Sequence, residues 1–319
     1  MKSSLLKVAA IFLSTIGIAH AEYPDQPVQI VVPFAAGGTV DIVARLVSEP
    51  LAKAIGGTVI VDNRPGASGM IGSQNVANAK PDGYRLLANS SIHVIVPSLY
   101  SKITYSVLND FQPISMISSV PLVLVGAPSA PFTNLKELID WSKSQANGLS
   151  YATAGNGSTP HLAGELLGKE TNIKVVHIPY KGSGAAMIDV MGGQVPVMFD
   201  ALTAVMTHIK SGKLRAIAVA GDKRSPMLPD VPTFAELGYA NFELSTWHGL
   251  WAPKKTPKPI VDKLSQELQR ISRLPEVEKR ISDLGGTTVG STAEQFDAYQ
   301  RSEYKKWGEM IKRLNITVE

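Results

Sequence analysis

The sequence contains no cysteine. That absence excludes disulfide bonds, thiolate nucleophiles, cysteine metal ligands and lipid attachment through an N-terminal cysteine. The chain must therefore hold its fold through its hydrophobic core alone. With 319 residues it is long enough for two domains, because single cores rarely grow beyond about 250–300 residues.

The chain also carries little net charge. The chain has 31 basic and 27 acidic residues, a formal net charge of +4. No stretch combines a basic stripe with interleaved aromatic residues, which is the pattern of nucleic-acid binding. We therefore expect no nucleic-acid partner.

Sequence signatures of catalysis are incomplete. The segment Gly155-Asn156-Gly157 begins like a dinucleotide fingerprint, but Pro160 stands where the third glycine belongs. Gly66-Ala67-Ser68-Gly69 and Gly182-Ser183-Gly184 have the wrong spacing for a hydrolase nucleophile elbow. No histidine is paired with another residue at metal-ligand spacing. We therefore expect no catalytic residues, no metal and no cofactor.

The N-terminus is typical of an export signal. Lys2 and Lys7 form a basic region, Val8–Ile18 is apolar, and Ala19-His20-Ala21 supplies small residues for a signal peptidase. The alternative, a membrane anchor, needs about 20 apolar residues, and this apolar run is much shorter. We expect cleavage of residues 1–21 after Ala21, which would leave 298 of the 319 residues in the periplasm. The net charge would then be +2, since the leader carries two lysines and no acid.

Short β-branched runs alternate with helical patterns and glycine-rich turns along the first two-thirds of the chain. Mostly continuous apolar runs are typical of strands buried on both faces, as in a parallel sheet covered by helices. The predicted strands are Val28–Phe34, Val59–Asn63, Tyr84–Asn89, Leu122–Gly126, Leu149–Thr153, Val175–Tyr180, Val195–Phe199 and Leu214–Ala220.

The last third is predicted to be helical, over Ile260–Ile271, Pro275–Leu284 and Thr292–Leu314. Ser291 with Glu294 three residues on has the spacing of a capping box at the start of the last helix. Pro50 lies inside a helix predicted to begin near Thr39, where it should bend or interrupt that helix.

Two glycine-bearing loops follow strands and precede helices, at Val31–Asp41 and again at Tyr151–His161. In the first, Gly37 and Gly38 are followed by Thr39, which is predicted as a helix N-cap. Unpaired amides at a helix start bind anions without any cationic side chain. The alternative is a plain βα turn, which also favours glycine and threonine.

The second loop has the same features more strongly. Ser158 and Thr159 offer hydroxyls and a cap, and Pro160 suits the first turn of a helix. Hydrogen bonds to a charged group contribute about 1.5–3 kcal/mol each, so three or four on one carboxylate could support micromolar binding. If the two loops belong to two similar lobes, they would face each other.

Single residues near these loops are also candidates. His161 is predicted to be functional. Asp200, at the end of an apolar strand, either contacts ligand or bound water or caps the next helix. Trp247 either walls a pocket or, more commonly for tryptophan, packs in the core.

Several short motifs together resemble the substrate-binding proteins of tripartite tricarboxylate transporters, the Bug family. The resemblance covers nearly the whole chain after residue 21, and its specificity lies in the order and spread of the motifs. They are Tyr23-Pro24, the Pro33–Asp41 loop, Asn63-Arg64-Pro65-Gly66-Ala67-Ser68-Gly69, Pro81-Asp82-Gly83-Tyr84, Tyr180-Lys181-Gly182, Phe199-Asp200 and Leu228-Pro229-Asp230-Val231-Pro232-Thr233.

The resemblance implies a type II periplasmic binding protein, an α/β fold of two doubly wound lobes joined by a hinge that the chain crosses twice. Residues 22–121 and 243–319 would form lobe 1, and residues 122–242 lobe 2. The ligand-binding residues it implies are Phe34, Gly38, Thr39, Asp41, Ser90, Ser91, Gly155, Asn156, Ser158, Thr159, His161 and Asp200.

The expected function is capture of a small carboxylate, without turnover, by a monomer that delivers it to the permease subunits of a tripartite tricarboxylate-type transporter. An exported enzyme and a sensor subunit acting on the same acids are the alternatives. Departures from the family pattern are Ala36 in place of a frequent proline, and His248 and Trp251 beside Gly249. These departures could alter ligand choice or be neutral.

Overall fold

The computed structural model describes residues 23–180, 182–221, 223–240, 242 and 244–317. The predicted signal peptide lies outside the described residues. Within them the strands are β1 (Val28–Val32), β2 (Val59–Asn63), β3 (Arg85–Ser90), β4 (Phe111–Gly126), β5 (Leu149–Thr153), β6 (Val175–Pro179), β7 (Val197–Ala201), β8 (Arg215–Ala220), β9 (Ser245–Pro253) and β10 (Thr287–Thr288).

The α-helices are α1 (Thr39–Ile55), α2 (Met70–Ala77), α3 (Ile92–Ile95), α4 (Leu135–Ser144), α5 (Thr159–Thr171), α6 (Ser183–Met191), α7 (Leu202–Lys210), α8 (Lys258–Ile271), α9 (Pro275–Asp283) and α10 (Ala293–Leu314). Short 3-10 turns cover Ala67–Gly69 and Val96–Ser98. No helix in the described part of the chain is both long and apolar enough to cross a bilayer.

The strands form one mixed sheet in the order β2-β1-β3-β9-β4-β7-β5-β6. We call its first part the first half-sheet: β1 pairs in parallel with β2 and β3, and β9 runs antiparallel between β3 and residues Phe111–Pro121 of β4. Apolar residues of α1, α8 and α9 cover one face of it, where they pack on Leu250 and Ala252.

The second half-sheet begins where β4 changes partners. β4 residues Leu122–Gly126 pair antiparallel with β7 and β8, and β5 pairs in parallel with β6 and β7. Helices α6 and α7 contribute Met187, Val190 and Val205 to the core on one face. Since all βα connections leave the carboxyl ends of parallel strands, the polar loops of each half-sheet collect at one edge.

Two features of the hinge region differ from the sequence prediction. β4 has 16 residues rather than the predicted five, and β9 was not predicted. Serines and prolines at positions such as Pro113, Ser118 and Pro121 interrupt the apolar pattern of β4. The strand forms because β9 provides a continuous antiparallel partner, which local periodicity does not reveal.

Helix boundaries follow the sequence closely, with three adjustments. The capping box of α10 is Thr292 with Gln295, not Ser291 with Glu294; the Ser291 hydroxyl instead accepts a hydrogen bond from the Met116 amide. Helix α1 continues through Pro50 without interruption. The N-cap of α1 is Gly38, so Thr39 is the first helical residue and not the cap.

Candidate anion-binding site

The first loop is held in shape by Asp41. Its carboxylate accepts hydrogen bonds from the Gly37 amide at 2.9 Å, from Arg45 Nε at 3.0 Å and from Asn63 Nδ2 at 2.9 Å. Burial raises the pKa of Asp41, but the hydrogen bonds from Arg45, Gly37 and Asn63 outweigh it and hold the pKa below its usual value. The structure therefore places this predicted site residue inside the loop, where it organises the backbone as a carboxylate.

The loop amides that remain belong to the first turn of α1. The first hydrogen bond within α1 runs from the Ile42 amide to the Gly38 carbonyl. The amides of Thr39, Val40 and Asp41 come before it and therefore have no acceptor within the helix. Gly38 is exposed and extended, at φ −73° and ψ 164°. The positive end of the α1 dipole thus lies at the exposed surface of the first loop.

Phe34 begins the first loop and is half-buried. Its carbonyl accepts a hydrogen bond from Asn63 Nδ2 at 3.1 Å. Gly69 has φ +86°, and a Cβ there would lie 3.2 Å from the Phe34 ring. The Asn63–Gly69 motif therefore supports the first loop through one amide side chain and one close glycine approach.

Ser90 and Ser91 follow at the end of β3, and both are buried. The Ser90 amide donates to Asn89 Oδ1 at 2.8 Å. Ser91 Oγ lies 3.1 Å from Thr159 Oγ1, which belongs to the first residue of α5. This hydrogen bond joins the end of β3 in the first half-sheet to the start of α5 in the second.

The second loop uses part of its own donor set. The Gly155 amide donates to Thr153 Oγ1 at 3.2 Å, and the Gly157 amide donates to His161 Nδ1 at 3.1 Å. Ser158 is the N-cap of α5, as predicted, and accepts from the His161 amide. Pro160 has no N–H, so among the described hydrogen bonds of this loop the amides of Asn156 and Thr159 are the ones without an acceptor.

His161 is packed rather than free. Its ring stacks on His177 with centroids 4.0 Å apart, and His177 Nε2 lies 2.6 Å from Thr153 Oγ1. Burial lowers the pKa of His161 to about 4, so the ring is neutral at neutral pH. A neutral Nδ1 that accepts from the Gly157 amide positions the second loop.

Asp200 is the buried acid of the second half-sheet. It is 5% exposed, and its Oδ1 accepts from the Ala201 amide at 2.7 Å. Its Oδ2 has no hydrogen-bond partner among the described residues. The N-cap of α7 is Ala201, so Asp200 does not occupy the capping position. Burial raises the pKa of Asp200 to about 6, although the Ala201 amide and the nearby Ser183 hydroxyl, which does not reach hydrogen-bond geometry with Oδ2, act in the opposite direction.

Trp247 does not wall a pocket. It is fully buried among Trp251, Phe296 and Tyr299, and its Nε1 donates to Glu303 at 3.2 Å. Among the described residues there is no group of three histidine or acidic side chains that could hold a metal ion. The site is therefore built from helix-start amides, hydroxyls and one buried carboxyl group.

Three residues that position the two loops were not predicted from the sequence: Asn63, Thr153 and His177. Asn63 and Thr153 are the last residues of parallel strands, and this position is a usable signal because it borders the loop edge of the sheet. His177 carries no such signal, since its role depends on stacking against a residue 16 positions earlier in the chain.

Solved structures with the same α/β fold are periplasmic solute-binding proteins. The periplasmic binding protein BugD is 41% identical with a TM-score of 0.82, covering 93% of this chain and 100% of that one. MatC from Rhodopseudomonas palustris, solved with bound malate, is 31% identical with a TM-score of 0.81, covering 91% of this chain and 100% of that one.

The chain belongs to the TctC family, the tripartite tricarboxylate transporter family receptors, whose sequence model matches residues 43–316. The Bordetella pertussis protein BugT is 38% identical over 321 residues, covering 99% of this chain and 98% of BugT. The resemblance drawn from the motifs is thus confirmed, and so is the α/β binding-protein fold.

Proposed function

We propose that this protein is a periplasmic receptor that captures a small carboxylate between its two half-sheets and delivers it to a membrane permease. The observation that carries this proposal is the Ser91–Thr159 contact, which joins the residue after β3 in the first half-sheet to the first residue of α5 in the second. No cation is needed there, because the amides of each helix start carry partial positive charge.

The half-sheets correspond to the two lobes of this proposal. β4 changes partner at Leu122, and the Leu122 amide donates to the Leu244 carbonyl at 3.2 Å. The chain thus crosses between half-sheets at two adjacent points, which supports lobe 1 as residues 22–121 and 243–319 and lobe 2 as residues 122–242. A ligand that contacts both loops favours the closed arrangement over an open one.

The ligand class follows from the donors and from the relatives. Amides and hydroxyls suit a carboxylate end group, and MatC is solved with bound malate. The ligand-binding set proposed from the sequence divides into two groups. Asp41, Gly155 and His161 act by shaping the two loops. The other members border the proposed ligand region directly: Phe34, Gly38, Thr39, Ser90, Ser91, Asn156, Ser158, Thr159 and Asp200.

A thermal-shift and calorimetric screen tests the proposal. The panel contains dicarboxylates, tricarboxylates, acidic amino acids and aromatic carboxylates, and each hit is compared with its methyl ester. A ligand at 100 times its Kd should add about 2.7 kcal/mol of stability, and the ester should not. Stabilisation by esters and acids alike would contradict carboxylate recognition.

Delivery and turnover need separate measurements. Uptake of the labelled hit into membrane vesicles that contain the permease should depend on this protein. Mass spectrometry of the acid after incubation should show no conversion, and a converted product would favour an exported enzyme. Capture of a membrane kinase instead of a permease would favour a sensor. Osmotic-shock fractionation checks the periplasmic location.

A further inference from the structure

His248, in β9 at the loop edge of the first half-sheet, carries a ring nitrogen without a partner among the described residues. The side chain is 2% exposed, and Nε2 has no hydrogen-bond partner among the described residues. Its other ring nitrogen, Nδ1, lies 3.1 Å from Ser118 Oγ. Burying a polar atom without a partner costs about 1–3 kcal/mol, so the position requires a physical explanation.

Strand register places His248 at the site. It is directly opposite Ser90 of β3 on one side and Ser118 of β4 on the other, and opposed residues in antiparallel strands project from the same face. That face is the one covered by α1, because alternation groups His248 with Leu250.

The level along the strands agrees with this placement. In the parallel pair of β1 and β3, Val31 is opposite Leu87. β1 ends one residue later, at Val32, and β3 ends at Ser90, opposite His248. The imidazole thus lies at the same edge of the first half-sheet as the first loop and the N-terminus of α1, with β3 between β1 and β9.

The tautomer of His248 follows from the hydrogen bonds that each ring nitrogen can make. If the Ser118 hydroxyl donates to Nδ1, the only unpaired group is Nε2–H. If Nδ1–H donates to Ser118 instead, both the hydroxyl hydrogen and the Nε2 lone pair are unpaired, which costs more. Burial lowers the pKa of His248 to about 4, so the ring carries one hydrogen at neutral pH. Nε2 is therefore a donor.

Resting on the proposed function, we infer that His248 is a specificity-determining ligand contact, whose Nε2–H donates to a second oxygen function of the bound carboxylate. The loops hold one carboxylate end, and His248 selects acids that carry another carboxylate or a hydroxyl toward the hinge strands. Monocarboxylates with an apolar tail leave Nε2–H unpaired and bind more weakly.

Three four-carbon acids serve as probes: malate, succinate and butyrate. Calorimetry should show that the wild-type protein prefers malate or succinate over butyrate. His248→Leu should reduce that preference by about 10-fold or more, the value of one hydrogen bond to a charged group, and leave butyrate binding unchanged. His248→Gln, which keeps a hydrogen-bond donor, should retain part of the preference for malate or succinate over butyrate.

His93 offers a matched control. It is also buried, and its Nε2 has no partner within the described ranges, but it packs against Phe111 and Trp251 on the opposite face of the first half-sheet. His93→Leu should lower stability and leave the preference among the three acids intact. Circular dichroism melts of both leucine variants separate folding defects from binding defects.

Nitrogen NMR of the histidine ring provides a readout independent of any ligand. The free protein should show Nε2 protonated and Nδ1 unprotonated, and succinate should shift the Nε2 resonance. A protonated Nδ1, an unchanged preference in His248→Leu, or a wild type that prefers butyrate would overturn the inference. If no acid of the wider panel binds the wild type, the proposed function itself fails, and the subsite fails with it.

Discussion

The hydroxyls of Ser91 and Thr159 lie 3.1 Å apart and connect the end of β3 to the start of α5. Both side chains are almost completely buried, at 1% and 4% exposure. A Cβ on Gly157 would come within 2.8 Å of Leu99 Cδ1, which is a second close approach between the two parts of the chain. The two half-sheets therefore meet directly at these two hydroxyls.

Loss of either hydroxyl should loosen that contact. A double-mutant cycle of Ser91→Ala and Thr159→Val should give a coupling free energy of about 0.5–1.5 kcal/mol, because each single change removes the same hydrogen bond. Small-angle scattering should show a larger radius of gyration for the unliganded variants. Ser73→Ala is the control, since Ser73 is bonded to Asn89 within the first half-sheet. Additive effects on stability would contradict the contact.

Gly38→Val should abolish carboxylate binding and leave the fold intact. Gly38 has an ordinary extended backbone, and an added Cβ would meet only the Ala35 carbonyl at 3.5 Å. The valine side chain would instead obstruct the approach to the first amides of α1. Calorimetry and circular dichroism check both parts, and Gly38→Ala should show a smaller loss. Unchanged affinity in Gly38→Val would rule out this loop as the binding site.

Asp200 should contribute a measurable pH dependence of stability. Its folded pKa is about 6, above the unfolded value of 3.8, so the folded state binds the proton more tightly. Stability contributed by this group is fully present below pH 3.8 and is lost as the pH rises through about 6. Asp200→Asn should therefore remove that loss and gain stability relative to the wild type above pH 6. Melting temperatures from pH 4 to 8 test this, and a pH-independent difference would be the contrary result.

His161 should act through its acceptor nitrogen. His161→Leu leaves the Gly157 amide unpaired and should cost about 1–3 kcal/mol of stability, with weaker ligand binding. His161→Asn offers Oδ1 near the position of Nδ1 and should retain most of the affinity. Equal, large losses of affinity in both variants would instead mean that the imidazole itself contacts the ligand.

Much of the fold was predictable from local pattern. β2 and β5 have their predicted bounds, and α9 and α10 differ from theirs by one residue. Such elements are encoded by consecutive residues, whose apolar periodicity and glycine or proline boundaries act over a few positions. β4 and β9 were not predictable in the same way, because each depends on the other as a partner across more than 100 residues.

The amino-acid sequence by itself determined the family, the order of most elements and the positions of the two loops. It also placed candidate donors there, since glycine, serine and threonine at helix starts are local signals. Only the tertiary structure decided which donors remain free. Asp41 and His161 use the amides of Gly37 and Gly157, and Asp200 and His248 each keep one atom that has no partner in the described part of the chain. The physical reason is that a hydrogen-bond partner is chosen by proximity in space, and distant segments become neighbours only when the sheet assembles.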